Sequence, residues 1–151
     1  MRSFIDRLAS ELSQAGFPRM PARVFAALLA SESGRMTAAG LADLLRVSPA
    51  AVSGSVRYLS QVGLVSRQNE PGSRRVAYLV PDDVWDQIMR LRDQLMSRWV
   101  ATMREGVEVL GADSAAGRRL TESIRYFEFI GAEVHRLAER WRDLQARRRD
   151  A

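Results

Sequence analysis

The chain has no cysteine and no lysine, one histidine and few aromatic residues among its 151 positions. Without cysteine there is no disulfide framework, no thiolate metal site and no thiol nucleophile, and an intracellular setting costs the protein nothing. His135 stands alone beside Glu133 and Arg136, and a lone histidine on a helix surface is more often solvated than catalytic. No G-x-S-x-G elbow, P-loop or G-x-G-x-x-G segment occurs, and the strongest transition-metal patterns lack their ligands. Asp82 and Asp83 read as a helix N-terminus before they read as a metal site. The first residues, MRSFIDRLAS, carry charges every few positions and lack a signal-peptide core, and no apolar run approaches a membrane span. These absences set the expectation of a soluble, cytoplasmic protein that is no enzyme and uses no cofactor or metal.

What is present is arginine, unevenly placed. Residues 1–80 hold ten arginines against five acids, whereas residues 81–151 hold thirteen of each. Between positions 44 and 80 the only acid is Glu70, against Arg46, Arg57, Arg67, Arg74 and Arg75. A local excess of this kind is the footprint of a surface that meets phosphates, and its plain alternative is a solvated basic face.

Apolar spacing gives the layout. Phe4, Ile5, Leu8 and Leu12 form one helical stripe that stops near Gly16 and Pro18. Val24, Phe25, Leu28 and Leu29 form a second, with Pro21 in its first turn and Gly34 at its end. In TAAGLADLLRVSPAAVSGSVRYLSQVGLV, Thr37 caps a helix with Leu41, Leu44 and Leu45 inward. Ser48 and Pro49 then open another helix about three residues after that one ends. Helices joined so tightly cross steeply, as in a helix-turn-helix. The second of the pair, about 49–62, turns Val52, Val56 and Leu59 inward and Ala50, Gly54, Arg57 and Gln61 outward, with Ser53 at the edge.

That outward face is slim. A helix entering a major groove about 12 Å wide benefits from small side chains, because bulk holds its backbone away from the bases. Arg57 suits guanine O6 and N7, Ser53 a base edge or phosphate, and Ala50 a thymine methyl. The helix start at Ser48 offers free N–H groups to phosphate. The stretch LVSRQN–EPGS–RRVAYLV reads as strand, turn and strand, with Pro71 and Gly72 central in a type II turn. A two-stranded ribbon directly after a helix-turn-helix is a wing. Its Ser73, Arg74 and Arg75 lie where a wing meets the minor groove or flanking phosphates, and Arg67 reads as a phosphate contact.

After Pro81 the stripe Val84, Ile88, Leu91, Leu95, Trp99, Met103, Val107 and Leu110 predicts a helix of roughly 40 Å that stops at Gly111. A final helix, about 114–145, carries Phe127, Ile130, Val134, Leu137, Trp141 and Leu144 at heptad-like spacing. The arginines at 147–149 read as a frayed, solvated tail. The fold class expected is mainly α with a small β-wing: a winged helix-turn-helix over 1–80 and long helical dimerisation elements over 81–151. Helices this long and apolar want a partner, and a second copy is the simplest one. Trp85, Met89, Met96, Trp99, Tyr126 and Phe129 are candidates to line a small-molecule effector pocket, with ordinary core packing as the alternative.

The element order, the segment SPAAVSGSVRYLSQVGLV, the wing PGSRRVAYLV, the DDVW junction and RLTESIRYFEFIGAEVHRLAERW together resemble the MarR superfamily of winged-helix regulators, in its GbsR-like branch. The resemblance spans nearly the whole chain. It implies a homodimer with entwined terminal helices that binds double-stranded DNA at a pseudo-palindromic operator, mostly as a repressor, and often answers to an effector. It places DNA contacts on Ser48, Ala50, Ser53, Gly54, Arg57, Arg74 and Arg75. The wing tip, Glu70-Pro71-Gly72-Ser73, departs from the acid-and-arginine tip common in such wings. A winged-helix module that docks protein and reads no DNA remains the alternative from another class.

Overall fold

Ile5 and Ala9 are the buried residues of the first helix, α1 (Arg2–Gln14), and they lie one turn apart on a narrow apolar edge. Phe4, expected on that edge, is instead half exposed, because only the i, i+4 pair reaches the neighbouring helix. The computed structural model describes residues 1–69 and 76–149, so Glu70, Pro71, Gly72, Ser73, Arg74 and Arg75 lie outside the described residues. Helix α2 (Arg19–Leu29) starts after Pro18, which keeps Pro21 in the first turn. It buries Ala22 and the run Val24–Leu28, including the fully enclosed Phe25 and Leu28. It ends at Leu29, ahead of Gly34, which turns the chain at φ +64°.

A short strand that periodicity did not reveal follows, β1 (Arg35–Thr37). Thr37 then caps α3 (Ala38–Leu45), its Oγ1 accepting from the Gly40 N–H at 3.1 Å. Ser48 does the same for α4 (Pro49–Gln61), accepting from the Ala51 N–H at 3.2 Å, with Pro49 in the first position. Strands β2 (Ser66–Asn69) and β3 (Val76–Leu79) complete a three-stranded antiparallel sheet of order β1-β3-β2. The expected ribbon therefore gains a third strand, with Met36, Tyr78 and Arg67 in one cross-strand row.

The core of this region is made by α1–α4 together with Leu64, Val65 and Ala77. Phe25, Leu28, Leu41, Val52 and Leu59 lose all contact with solvent. Arg23 ties three helices: its Nε donates to Asp6 Oδ1 of α1 at 3.0 Å, and a terminal nitrogen donates to the Leu45 carbonyl at the end of α3 at 3.3 Å.

Helix α5 (Val84–Leu110) has the bounds its flanking Pro81 and Gly111 predict, and α6 (Ala115–Arg149) begins after Ser114 as expected. The arginines at 147–149 continue α6 and form no frayed tail, although Arg147 and Arg148 are exposed. The chain divides into two compact units, Met1–Gln87 and Ile88–Ala151, where the sequence suggested a break at 80/81. The first turn of α5 stays with the first unit because it packs there. Val84 is buried, Trp85 meets the Phe25 ring edge-on at 6.2 Å, and the Gln87 amide donates to the Val62 carbonyl at 3.1 Å.

In the second unit, Gly111 (φ +82°) and Ser114 turn the chain. Ser114 Oγ donates to the Gly111 carbonyl at 2.8 Å and accepts from the Gly117 N–H at 2.9 Å. A side chain at 117 would sit 2.0 Å from the Gly111 oxygen, so glycine is required there. Trp99 meets Phe127 edge-on at 5.8 Å, and Arg104 pairs with Glu128. Among the described residues no helix is long and apolar enough to cross a membrane.

Candidate nucleic-acid interface

Helix α4 owes its position to two local devices. Its start is fixed by the Ser48 cap and Pro49, and its inner face is anchored by buried Val52, Val56 and Leu59. Ser55, the buried polar residue on that face, is satisfied within the helix by donating to the Ala51 carbonyl at 2.7 Å. With one face held, the other must face solvent: Ser48, Ala50, Ser53, Gly54, Arg57 and Gln61 are all exposed. The outward face read from the helical wheel, Ala50, Gly54, Arg57 and Gln61 with Ser53 at its edge, is thus the exposed one.

Gly54 carries extra information. A Cβ added there would meet no atom within 4 Å, and a glycine inside a helix costs about 1 kcal/mol relative to alanine. Among the described residues nothing requires the side chain to be missing.

Beside this face lies a shallow recess of roughly 420 Å³ lined by Ser53, Val56, Arg57, Ser60, Gln61, Arg67 and Tyr78. It brings together Ser53 and Arg57 of α4 and Arg67 of β2, three of the residues singled out from the sequence. Ser48, Ala50 and Gly54 lie on the helix outside it, and Ser73, Arg74 and Arg75 fall outside the described residues. Neither Arg57 nor Arg67 forms an ion pair or side-chain hydrogen bond with a described residue. Two guanidinium groups without a partner among the described residues, beside a hydroxyl-rich helix face, suit an anionic partner.

Ser60 and Tyr78 were missed by sequence reading. Tyr78 reaches the recess because β3 pairs with β2 in a register that sets it opposite Arg67, one residue from buried Ala77. The alternation along VAYL was the available signal, since Ala77 inward puts Tyr78 outward.

The effector candidates are placed differently. Trp85 belongs to the first unit, against Phe25. In the second unit a cavity of roughly 370 Å³ is lined in part by Met96, Val100, Arg104, Phe127, Glu128 and His135. Of the six candidates only Met96 lines it. Trp99 and Tyr126 instead pack edge-on against Phe127, and Met89, Tyr126 and Phe129 are exposed. No cluster of three or more potential metal ligands occurs among the described residues.

Comparison with known proteins bears on both units. A model of the MarR family matches residues 15–76, and one described as an MmpR5-like MarR family transcriptional regulator matches residues 83–145. No protein of curated function matches the sequence significantly. A crystal structure of a transcriptional regulator aligns over 93% of this chain and 97% of its own, at 22% identity and a TM-score of 0.78. TrmBL2, an archaeal chromatin protein, aligns over 70% of this chain and 42% of its own, at 21% identity and a TM-score of 0.56. At such identities the likeness is one of fold. The fold is the winged helix-turn-helix read above, and the two stretches of the sequence that match family models, residues 15–76 and 83–145, are each similar to MarR family transcriptional regulators.

Proposed function

We propose that the protein binds a pseudo-palindromic operator sequence-specifically as a homodimer and represses transcription by occluding the promoter. The observation that carries this is the α4 face, where Gly54 sits in a helix interior with no internal reason to be glycine. A helix that must approach base edges closely supplies that reason. Arg57 reads a guanine, while Ser48, Ala50 and Ser53 complete the approach. Arg67 with the wing residues Ser73, Arg74 and Arg75 holds phosphates or the minor groove. Support for the homodimer comes from α6, whose seam residues Leu137, Trp141 and Leu144 are about half exposed or more in a single chain. Large apolar side chains at heptad spacing find cover most simply on a second copy. The GbsR-like branch is part of the same reading and rests on the wing, DDVW and terminal-helix residues quoted above. A small-molecule effector taken up by the second unit, near Met96 and Trp99, would raise the melting temperature and shift DNA affinity together.

The test is binding of the purified protein to the DNA upstream of its own gene against a scrambled duplex at two salt concentrations. Saturable, selective binding that weakens steeply with salt is expected, because bound arginines release counterions. Arg57→Ala should erode preference at one base step by roughly 1–3 kcal/mol, with non-selective binding kept. Binding that ignores salt, or none to any duplex, overturns the reading in favour of a protein-docking module.

A further inference from the structure

The turn between α3 and α4 contains the one described non-glycine residue with positive φ, Arg46 at φ 53° and ψ 52°. The turn itself demands this left-handed conformation. Leu45 ends α3, the Val47 N–H reaches back to the Ala42 carbonyl at 3.1 Å, and the Arg46 N–H is directed to the same oxygen. A helix end closed by such a six-to-one bond puts the residue before the closing donor in the left-handed region, where glycine is preferred and Asn tolerated. An arginine there is strained, and among the described residues nothing compensates it. Its side chain is exposed and has no ion pair or hydrogen bond among the described residues. Asp43, three residues earlier on α3, is exposed as well and forms no pair with it. Meanwhile the α3 carbonyl next to the turn, that of Leu45, is already satisfied by Arg23, so Arg46 is not needed to close the helix end.

A cation held at an unfavourable backbone position, without a partner among the described residues and two residues before the Ser48 cap, points outward for its purpose. We infer that Arg46 is a phosphate-contacting residue of the DNA interface, kept in the helix-turn-helix turn at the expense of stability. The inference rests on the DNA-binding reading above and adds a contact that neither the helical wheel nor the wing supplies. Phosphate contacts fix register and orientation without carrying sequence information, so Arg46 should strengthen all duplexes alike.

Three substitutions separate charge from backbone. Arg46→Gly removes both the strain and the charge, Arg46→Asn removes the charge in a residue that tolerates the left-handed region, and Arg46→Lys keeps the charge. Arg46→Gly should raise the melting temperature by about 2–4 °C while lowering affinity about tenfold for operator and scrambled duplex equally. The slope of log affinity against log salt should fall by about one for each Arg46 lost from the complex. Arg46→Asn should lose the same slope, which excludes looseness at glycine as the cause, and Arg46→Lys should keep it. If the wild-type protein binds DNA and both neutral variants retain its salt slope, Arg46 is merely a tolerated strain and the inference falls alone. A wild-type protein that binds no duplex brings down the functional reading as well.

Discussion

The two units solve the burial problem in opposite ways. The first closes its own core: Val24, Phe25, Leu28, Leu41 and Leu59 are sealed within one chain by four short helices and a small sheet. The second has two long helices, and its buried residues are few, chiefly Ile88, Val100, Gly117 and Ile124. Its larger apolar side chains, among them Leu95, Trp99, Phe129 and Trp141, stay substantially exposed. Helix length alone therefore adds little core. A stripe along a 35-residue helix needs an equally long surface opposite it, whereas short crossing helices enclose a centre among themselves.

On the dimer proposed above, the first unit's stability is an intramolecular property and the second's an intermolecular one. Phe25→Ala should strike hardest, because it empties a site shared with Phe17 and Trp85. A loss of about 3–5 kcal/mol is expected, equal at all protein concentrations when followed by denaturant unfolding with a probe confined to the first unit. A marked concentration dependence of that loss would erase the distinction between the units. Replacing Leu137 and Trp141 together by serine should weaken association by about 2–4 kcal/mol, as truncation of interface anchors does. Sedimentation would then show a shift toward monomer, and the melting temperature would drop more in dilute than in concentrated solution. An unchanged mass would mean that the α6 seam is not where two copies meet. The smallest effect is the most discriminating for the reader: Gly54→Ala should stabilise the first unit by about 0.5–1 kcal/mol yet weaken operator binding, with the two read by thermal melts and by titration of labelled duplex. A variant that is both more stable and an equal binder would remove the case for close approach at α4.

What the sequence made legible follows the same division between local and non-local causes. The ends of α3, α4, α5 and α6 were readable because each is set within a few residues by Thr37, Ser48-Pro49, Gly111 and Ser114. The outward face of α4 was readable because its inner face is strictly apolar. Strand β1 was not, since three residues show no alternation and its partner β3 lies some forty positions away in the chain. Tyr78 was missed for a related reason, as its place opposite Arg67 is a matter of register between strands. The exposure of Phe4 and the scatter of the effector candidates are tertiary outcomes that a stripe on one helix cannot disclose. The helical course of 147–149 reflects arginine's good helix propensity extending α6 beyond its last apolar residue.

One contact limits how independent α4 can be. The Val62 carbonyl, at the C-terminal end of α4, is held by the amide of Gln87, and a side chain at Gly63 would crowd that same amide. Gln87 stands on the first turn of α5, the same helix whose far end is Leu110. A net hydrogen-bond contribution of about 1 kcal/mol from that amide corresponds to roughly a fivefold change in an equilibrium constant. On the DNA-binding reading proposed above, α4 therefore takes part of its footing from a residue outside the helix-turn-helix and the wing.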